Sequence, residues 1–176
     1  MAVLPIVLYP DPVLLKPAAK VAAVDDQIRR LVRDMTETMY AAPGIGLAAN
    51  QVGVSLRICI VDVTAGERPD SLVAFINPEV TQIEGSEVGE EGCLSFPDVT
   101  LEVERAHKAT VEALDVTGQP FIYTAEGLMA RAMLHEIEHL DGQTFLRNVS
   151  TLRRELVKKQ IRKRIRSGDW VAEAAQ

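Results

Sequence analysis

The sequence predicts an α+β fold: antiparallel sheets packed around a central helix, an amphipathic helix on the N-terminal side and a basic helix on the C-terminal side. Three observations carry that expectation. Apolar residues recur with helical period in three separated stretches, and the β-branched runs between the first and second follow one another with no helical stretch among them. The 176 residues, 47% hydrophobic and 25% charged, suit one compact core, so a single domain over 1–176 is expected.

The opening "MAVLPIVLYPDPVLL" lacks a basic leader region and is broken by Pro5, Pro10 and Pro12, which argues against a signal peptide and a membrane span. A cytoplasmic protein with no membrane partner is expected. Ile28, Leu31, Val32, Met35 and Met39 then mark one face of a helix, with Asp25 or Asp26 as N-cap and Pro43 as its stop. "GIGLAANQ", residues 44–51, satisfies the dinucleotide fingerprint by letter, and Asp62 lies eighteen residues after Gly44, near where a ribose-binding acid belongs. Order excludes that reading. A helix precedes these glycines and the strand-like "SLRICIVDV" follows, whereas a phosphate cradle needs a strand feeding a helix N-terminus. What remains is backbone that passes close to something, followed by Asn50 and Gln51.

Further strands are expected in "SLVAFINPEV", "VTLEVERAHKATVEALDV" and "PFIYTAE". Cys59, inside "RICIVDV", reads as a small buried hydrophobe. Thr124 is positioned to cap a second helix that Gly142 terminates, and Leu128, Ala132, His135 and His139 form its interior stripe.

That helix carries His135-Glu136-x-x-His139. Residues four apart on a helix are separated by about 40° of rotation and about 6 Å of rise, so both imidazoles can converge on one ion. Glu136 lies about 100° round from His135, placed for a base rather than a ligand. Glu138 is turned to the other side, and His107 stands alone in "ERAHKAT". Cys93, set among turn formers and carboxylates in "GEEGCLSFPD", is the better third ligand. A His2Cys set leaves a fourth position for water, as catalytic rather than structural sites require. An endoprotease of the zincin type is disfavoured because the extended H-E-x-x-H-x-x-G-x-x-H form is missing. A structural metal module is disfavoured because it would close with four ligands.

"GIGLAANQ", "EGCLS" and "HEIEH", in that order, resemble the three signature motifs of the peptide deformylases, and the likeness runs from about residue 5 to about residue 165. The resemblance implies a hydrolase that removes the formyl group from formyl-methionyl nascent polypeptides and releases formate. It implies that Cys93, His135 and His139 hold one divalent metal, natively Fe(II), with zinc, nickel or cobalt able to replace it. Water activated at the metal would attack, with Glu136 as general base and acid. Gln51 and the Leu94 N–H would donate to the formyl oxygen, and Gly46 would let the peptide backbone approach. Arg105 matches a family arginine; Leu134 and Glu138 stand where the family often has glutamine and aspartate, and Thr100 where some members carry an arginine.

The last helical stretch, about 150–166 with a short tail over 167–176, is basic. From Arg147 to Arg166 nine Lys/Arg face one acid, Glu155, in a chain of net charge −6. Val157, Ile161 and Ile165 form a stripe expected to dock on the domain. Lys158, Lys159, Arg162, Lys163 and Arg166 are then either solvated or suited to ribosomal RNA backbone without base readout, with no DNA partner expected.

Overall fold

The computed structural model describes residues 2–172; the last four residues of the expected tail, 173–176, lie outside the described residues. Helix α1 spans Asp26–Ala41, with the Asp25 carboxylate accepting from the Ile28 N–H. Pro43 lies just past its end, as its missing N–H dictates. Seven strands follow: β1 Gly46–Ala48, β2 Ile58–Val61, β3 Val73–Glu84, β4 Glu87–Cys93, β5 Phe96–Arg105, β6 Lys108–Leu114 and β7 Pro120–Glu126. Helix α2 is Gly127–Leu140 and helix α3 is Thr151–Ser167. The architecture is α+β. Five strands form an antiparallel sheet in the order β1-β2-β3-β6-β7, and β4 pairs with β5 as a separate two-stranded sheet.

Alternation along β2 explains how the layers assemble. Cys59 and Val61 pack with Ala130, Met133, Ile137 and Leu140 of α2, while Ile58 and Ile60 pack with Val32, Met35 and Met39 of α1. Both faces of β2 are therefore buried, which is why its sequence is a continuous apolar run. A third cluster places α3 against the β4–β5 side of the molecule through Val157 and Ile161, packed with Phe96, Leu101, Val103 and Phe145. Ile165, expected in the same stripe, is 45% exposed. Beside it Arg164 turns inward instead, donating to the Pro97 carbonyl at 2.7 Å.

Two further expectations are corrected. Thr124 does not cap α2: it lies in β7, where its hydroxyl bonds that of Thr110 at 2.9 Å. The strand runs directly into the helix, and Gly127, at φ 59°, makes the corner with its N–H donated to the His107 carbonyl at 2.8 Å. The long run 99–116 is not one strand, because the chain leaves the smaller sheet at Arg105 and enters the larger one at Lys108. Gly142 does end α2 in a left-handed turn, and a Cβ there would lie 2.5 Å from the carbonyl carbon of Lys16.

Candidate metal centre

Helix α2 holds His135 and His139 on consecutive turns, both buried, with ring centroids 5.0 Å apart. Cys93 is the last residue of β4, carried to the helix by the hairpin that turns through Leu94 and Ser95 into β5. The three ligand-type atoms lie within 4.8 Å of one another, and Cys93 Sγ is 3.3 Å from His139 Nε2. A tetrahedral site with nitrogen and sulfur ligands has edges of about 3.5 Å, so two imidazoles and a thiolate at this spacing fit a divalent transition metal. Leu128, the outermost residue of the expected stripe, is instead 54% exposed at the mouth of the adjoining cleft.

Glu136 lies beside this group, buried, with Oε2 unpartnered. Burial first, opposed by His135 and assisted by the Glu91 charge, pushes its carboxyl up to about 7. Burial and the neighbouring His135 charge push His139 well below the ordinary histidine range. His135 is carried well above that range because, although burial opposes it, the hydrogen bonds to Cys93 and Glu91 outweigh burial. Gln51 is fixed by the Ala48 N–H, which donates to its Oε1 at 2.9 Å. Its Nε2 is thereby turned toward Ser95 Oγ at 3.2 Å and Cys93 Sγ at 3.6 Å.

A cleft of about 390 Å³ opens on Cys93, His135 and Glu136, walled on one side by Gly44, Ile45 and Gly46 and on the other by the segment from Glu90 through Leu94. Strand β1 is an edge of its sheet, so one side of its backbone carries no strand partner.

Glu91 escaped the sequence reading. Buried in β4, it accepts from His135 Nδ1 at 2.8 Å, from Arg105 Nε at 2.5 Å and from Arg131 at 2.8 Å. Burial would raise its carboxyl, but the bonds from His135 and Arg105 outweigh it and hold the group at about 2. An ionised carboxylate only accepts, so His135 donates from Nδ1 and keeps Nε2 for other work. No local pattern in "EGC" announces this, because the segment lacks strand composition and its ladder shifts register between Glu91 and Cys93. Arg131 left no signal either, since an arginine one turn before a histidine reads as surface.

The remaining candidates separate cleanly. Glu138 takes Arg105 at 3.0 Å and Asn148 at 2.9 Å, away from the His/Cys group. His107 is half-exposed and paired with Glu87. Asp62 is fully buried, and its carboxylate takes Tyr40, Thr64, Ser71 and the Gly66 N–H rather than Gly44 or Gly46.

Against known proteins, the sequence model of the family described as Polypeptide deformylase matches residues 3–155. The chain is similar to the peptide deformylase of Acidobacterium capsulatum, 48% identical over 170 residues that cover 97% of this chain and 100% of that one. Among solved structures it resembles a peptide deformylase from Legionella pneumophila, with a TM-score of 0.87 at 40% identity, covering 95% of this chain and 98% of that one. It also resembles the Ehrlichia chaffeensis peptide deformylase in complex with actinonin, with a TM-score of 0.85 at 37% identity over 93% and 98% of the two chains.

Proposed function

The chain belongs to the polypeptide deformylase family, metal-dependent hydrolases that remove N-terminal formyl groups from nascent peptides, and from that premise we propose how its own residues do so. Cys93, His135 and His139 hold one divalent cation, Fe(II) in the native protein, with zinc, nickel or cobalt as substitutes. The observation that carries this reading is the convergence of those three donor atoms within 4.8 Å beside a buried, unpaired Glu136 oxygen. When bound, such an ion supplies Lewis acidity, polarising the formyl carbonyl and making water acidic near neutral pH.

Glu136 takes the proton from the attacking water and returns it to the amine nitrogen as the C–N bond breaks, leaving formate and a free N-terminus. Burial, which pushes this carboxyl up, favours a group that both takes a proton and gives it back. The Gln51 amide, already turned toward Cys93, and the Leu94 N–H donate to the formyl oxygen as negative charge develops on it. Along the cleft, the open edge of β1 at Gly46 pairs with the peptide backbone as an added strand.

For the nascent chain's source, α3 offers a surface. Arg153, Lys159, Arg162, Lys163 and Arg166 are exposed and form no ion pair among the described residues. That face suits ribosomal RNA backbone, which would bring the enzyme to its substrate in the cytoplasm. No helix among the described residues is long and apolar enough to cross a membrane.

The test is turnover of a formyl-Met dipeptide against an acetyl-Met peptide and casein, with metal content measured on the same sample. Hydrolysis confined to the formyl substrate and proportional to bound metal is expected. Cleavage of casein would move the activity to endoproteolysis, and deformylation by metal-free protein would remove the ion from the mechanism.

A further inference from the structure

Glu91 is gripped in two ways. From β5, Arg105 places Nε on Oε2 at 2.5 Å and an NH2 nitrogen on Oε1 at 2.8 Å. From α2, Arg131 donates to Oε2 at 2.8 Å and His135 Nδ1 donates to Oε1 at 2.8 Å. Arg131 and His135 are four residues apart, so the carboxylate bridges consecutive turns of one helix face and each of its oxygens takes one bond from that face.

Arg105 does not hold this geometry unaided, because the same NH2 nitrogen is shared with Glu138 Oε2 at 3.0 Å. Loss of the α2 bond to Oε2 would leave the Arg105 and Glu138 side to draw the carboxylate off His135. Arg131, in contrast, is anchored independently of Glu91. It donates to the Val103 carbonyl and the Glu87 carbonyl, each at 2.8 Å, and so reaches both strands of the β4–β5 hairpin. Gly89 of β4 lies flat on its guanidinium, where a Cβ would stand 3.1 Å from Cζ. The arginine is thus fixed on three sides independently of Glu91, and can hold that carboxylate in place.

We propose that Arg131 is a positioning residue for the metal centre: by holding the second oxygen of Glu91 it keeps the first on His135 Nδ1, and so fixes the direction in which His135 Nε2 meets the ion. The inference rests on the reading of Cys93, His135 and His139 as ligands. An acceptor behind a metal-ligating histidine sets its orientation and tautomer, and losing such support costs about 10- to 100-fold in metal affinity. Arg131 acts one bond further out, so a loss near the lower end is expected.

The experiment loads wild type, Arg131→Met, Arg131→Lys, Glu91→Gln and the Glu91→Gln/Arg131→Met double variant with nickel. It records the rate of nickel loss to a chelator, with the thermal midpoint of each metal-free protein alongside. Arg131→Met is expected to lose nickel about tenfold faster than wild type, and to add nothing in the Glu91→Gln background, since the two residues act in series. A staple that merely joins helix to hairpin would lower the metal-free midpoint and leave nickel loss unchanged. Folded Arg131→Met that releases nickel at the wild-type rate overturns the proposal, as does an equal acceleration with Glu91→Gln present. If Arg131→Met does not fold, Arg131→Lys decides by the same two readings, because an ammonium cannot serve Glu91 and both carbonyls together. Wild type that takes up no stoichiometric nickel would instead overturn the ligand reading itself.

Discussion

Glu136 occupies the space where Gly46 would carry a side chain: a Cβ built on Gly46 lies 2.5 Å from Glu136 Oε1 and 2.9 Å from its Cγ. The glycine that the sequence marks as a place of close approach is approached first by the enzyme's own carboxyl. It joins β1, the edge that faces the cleft, to the reacting end of α2.

Gly46→Ala should therefore act on Glu136 rather than on the metal. Displacement of a reacting group by about 1 Å costs on the order of 100-fold in rate. Deformylation should fall by about that factor with metal content unchanged, and Glu136→Gln should fall by roughly two to four orders of magnitude, also with metal retained. Rate and metal assay on one sample check both. A Gly46→Ala enzyme with wild-type turnover would show that the carboxyl has room to move without cost.

The two cysteines should separate sharply. Cys59 is fully buried between sheet and α2, packed with Phe75 and Met133, and burial pushes its thiol well up. Cys59→Ala should cost about 1 kcal/mol of stability and leave metal in place. Cys93→Ala should lose metal and activity together. Metal analysis of the two variants decides the matter, and stoichiometric metal in an active Cys93→Ala protein would remove the thiolate from the ligand set.

Stability should depend on pH through Asp62 and Tyr40. Burial works to raise Asp62, but hydrogen bonds from Tyr40, Thr64 and Ser71 outweigh it and hold the carboxyl well below the ordinary range. Burial, then donation to Asp62 at 2.7 Å, pushes the Tyr40 phenol up to about 12. A depressed acid stabilises above its unfolded value and loses that contribution as pH falls through the native one. A raised phenol stabilises below its unfolded value of about 10 and loses that contribution as pH climbs toward 12. The advantage of wild type over Asp62→Asn, measured as denaturant midpoints of the metal-free proteins, should be full from about pH 5 to 9 and shrink on either side. A pH-independent difference would exclude this linkage.

Much of this molecule was legible because its signals are local. Helical period announces α1 and α2, and the Asp25 cap and Gly142 stop follow from backbone groups that must be satisfied. His135 and His139 share a face by spacing alone. Cys93 was reachable because little else could complete the set. Less legible was whatever long-range packing decides. Strand β4, rich in glycine and glutamate, has no strand composition and exists because β5 pairs with it. Residues Glu91 and Arg131 read as surface charges until the hairpin folds over α2 and buries them against one another. Thr124 failed as a cap because strand β7 claims it, a tertiary demand that no local preference reports.

The basic helix yields the last expectation, and the structure narrows which charges can serve it. Arg154 is spent on the Leu146, Arg147 and Val149 carbonyls, and Arg164 on Pro97, Asp98 and the face of Trp170. Lys158 stands 3.4 Å from Glu155. Arg154 and Arg164 hold the helix to its own protein, and reversing them would disturb the fold, whereas Lys158 is paired within the helix itself. Lys159, Arg162, Lys163 and Arg166 are exposed and committed to nothing among the described residues, so they carry the field that a polyanion would meet. Charge reversal at those four should abolish co-sedimentation with ribosomes at low salt while dipeptide turnover stays at the wild-type level. Wild-type binding should itself fall steeply as salt rises, since each neutralised phosphate releases counterions. Arg164→Glu is the contrasting variant: it should lower the thermal midpoint through the lost Pro97 and Asp98 contacts, yet weaken ribosome binding less than the fourfold change. Wild-type protein that stays unbound at low salt, or a fourfold variant that still co-sediments, would leave α3 with packing and solubility as its only work.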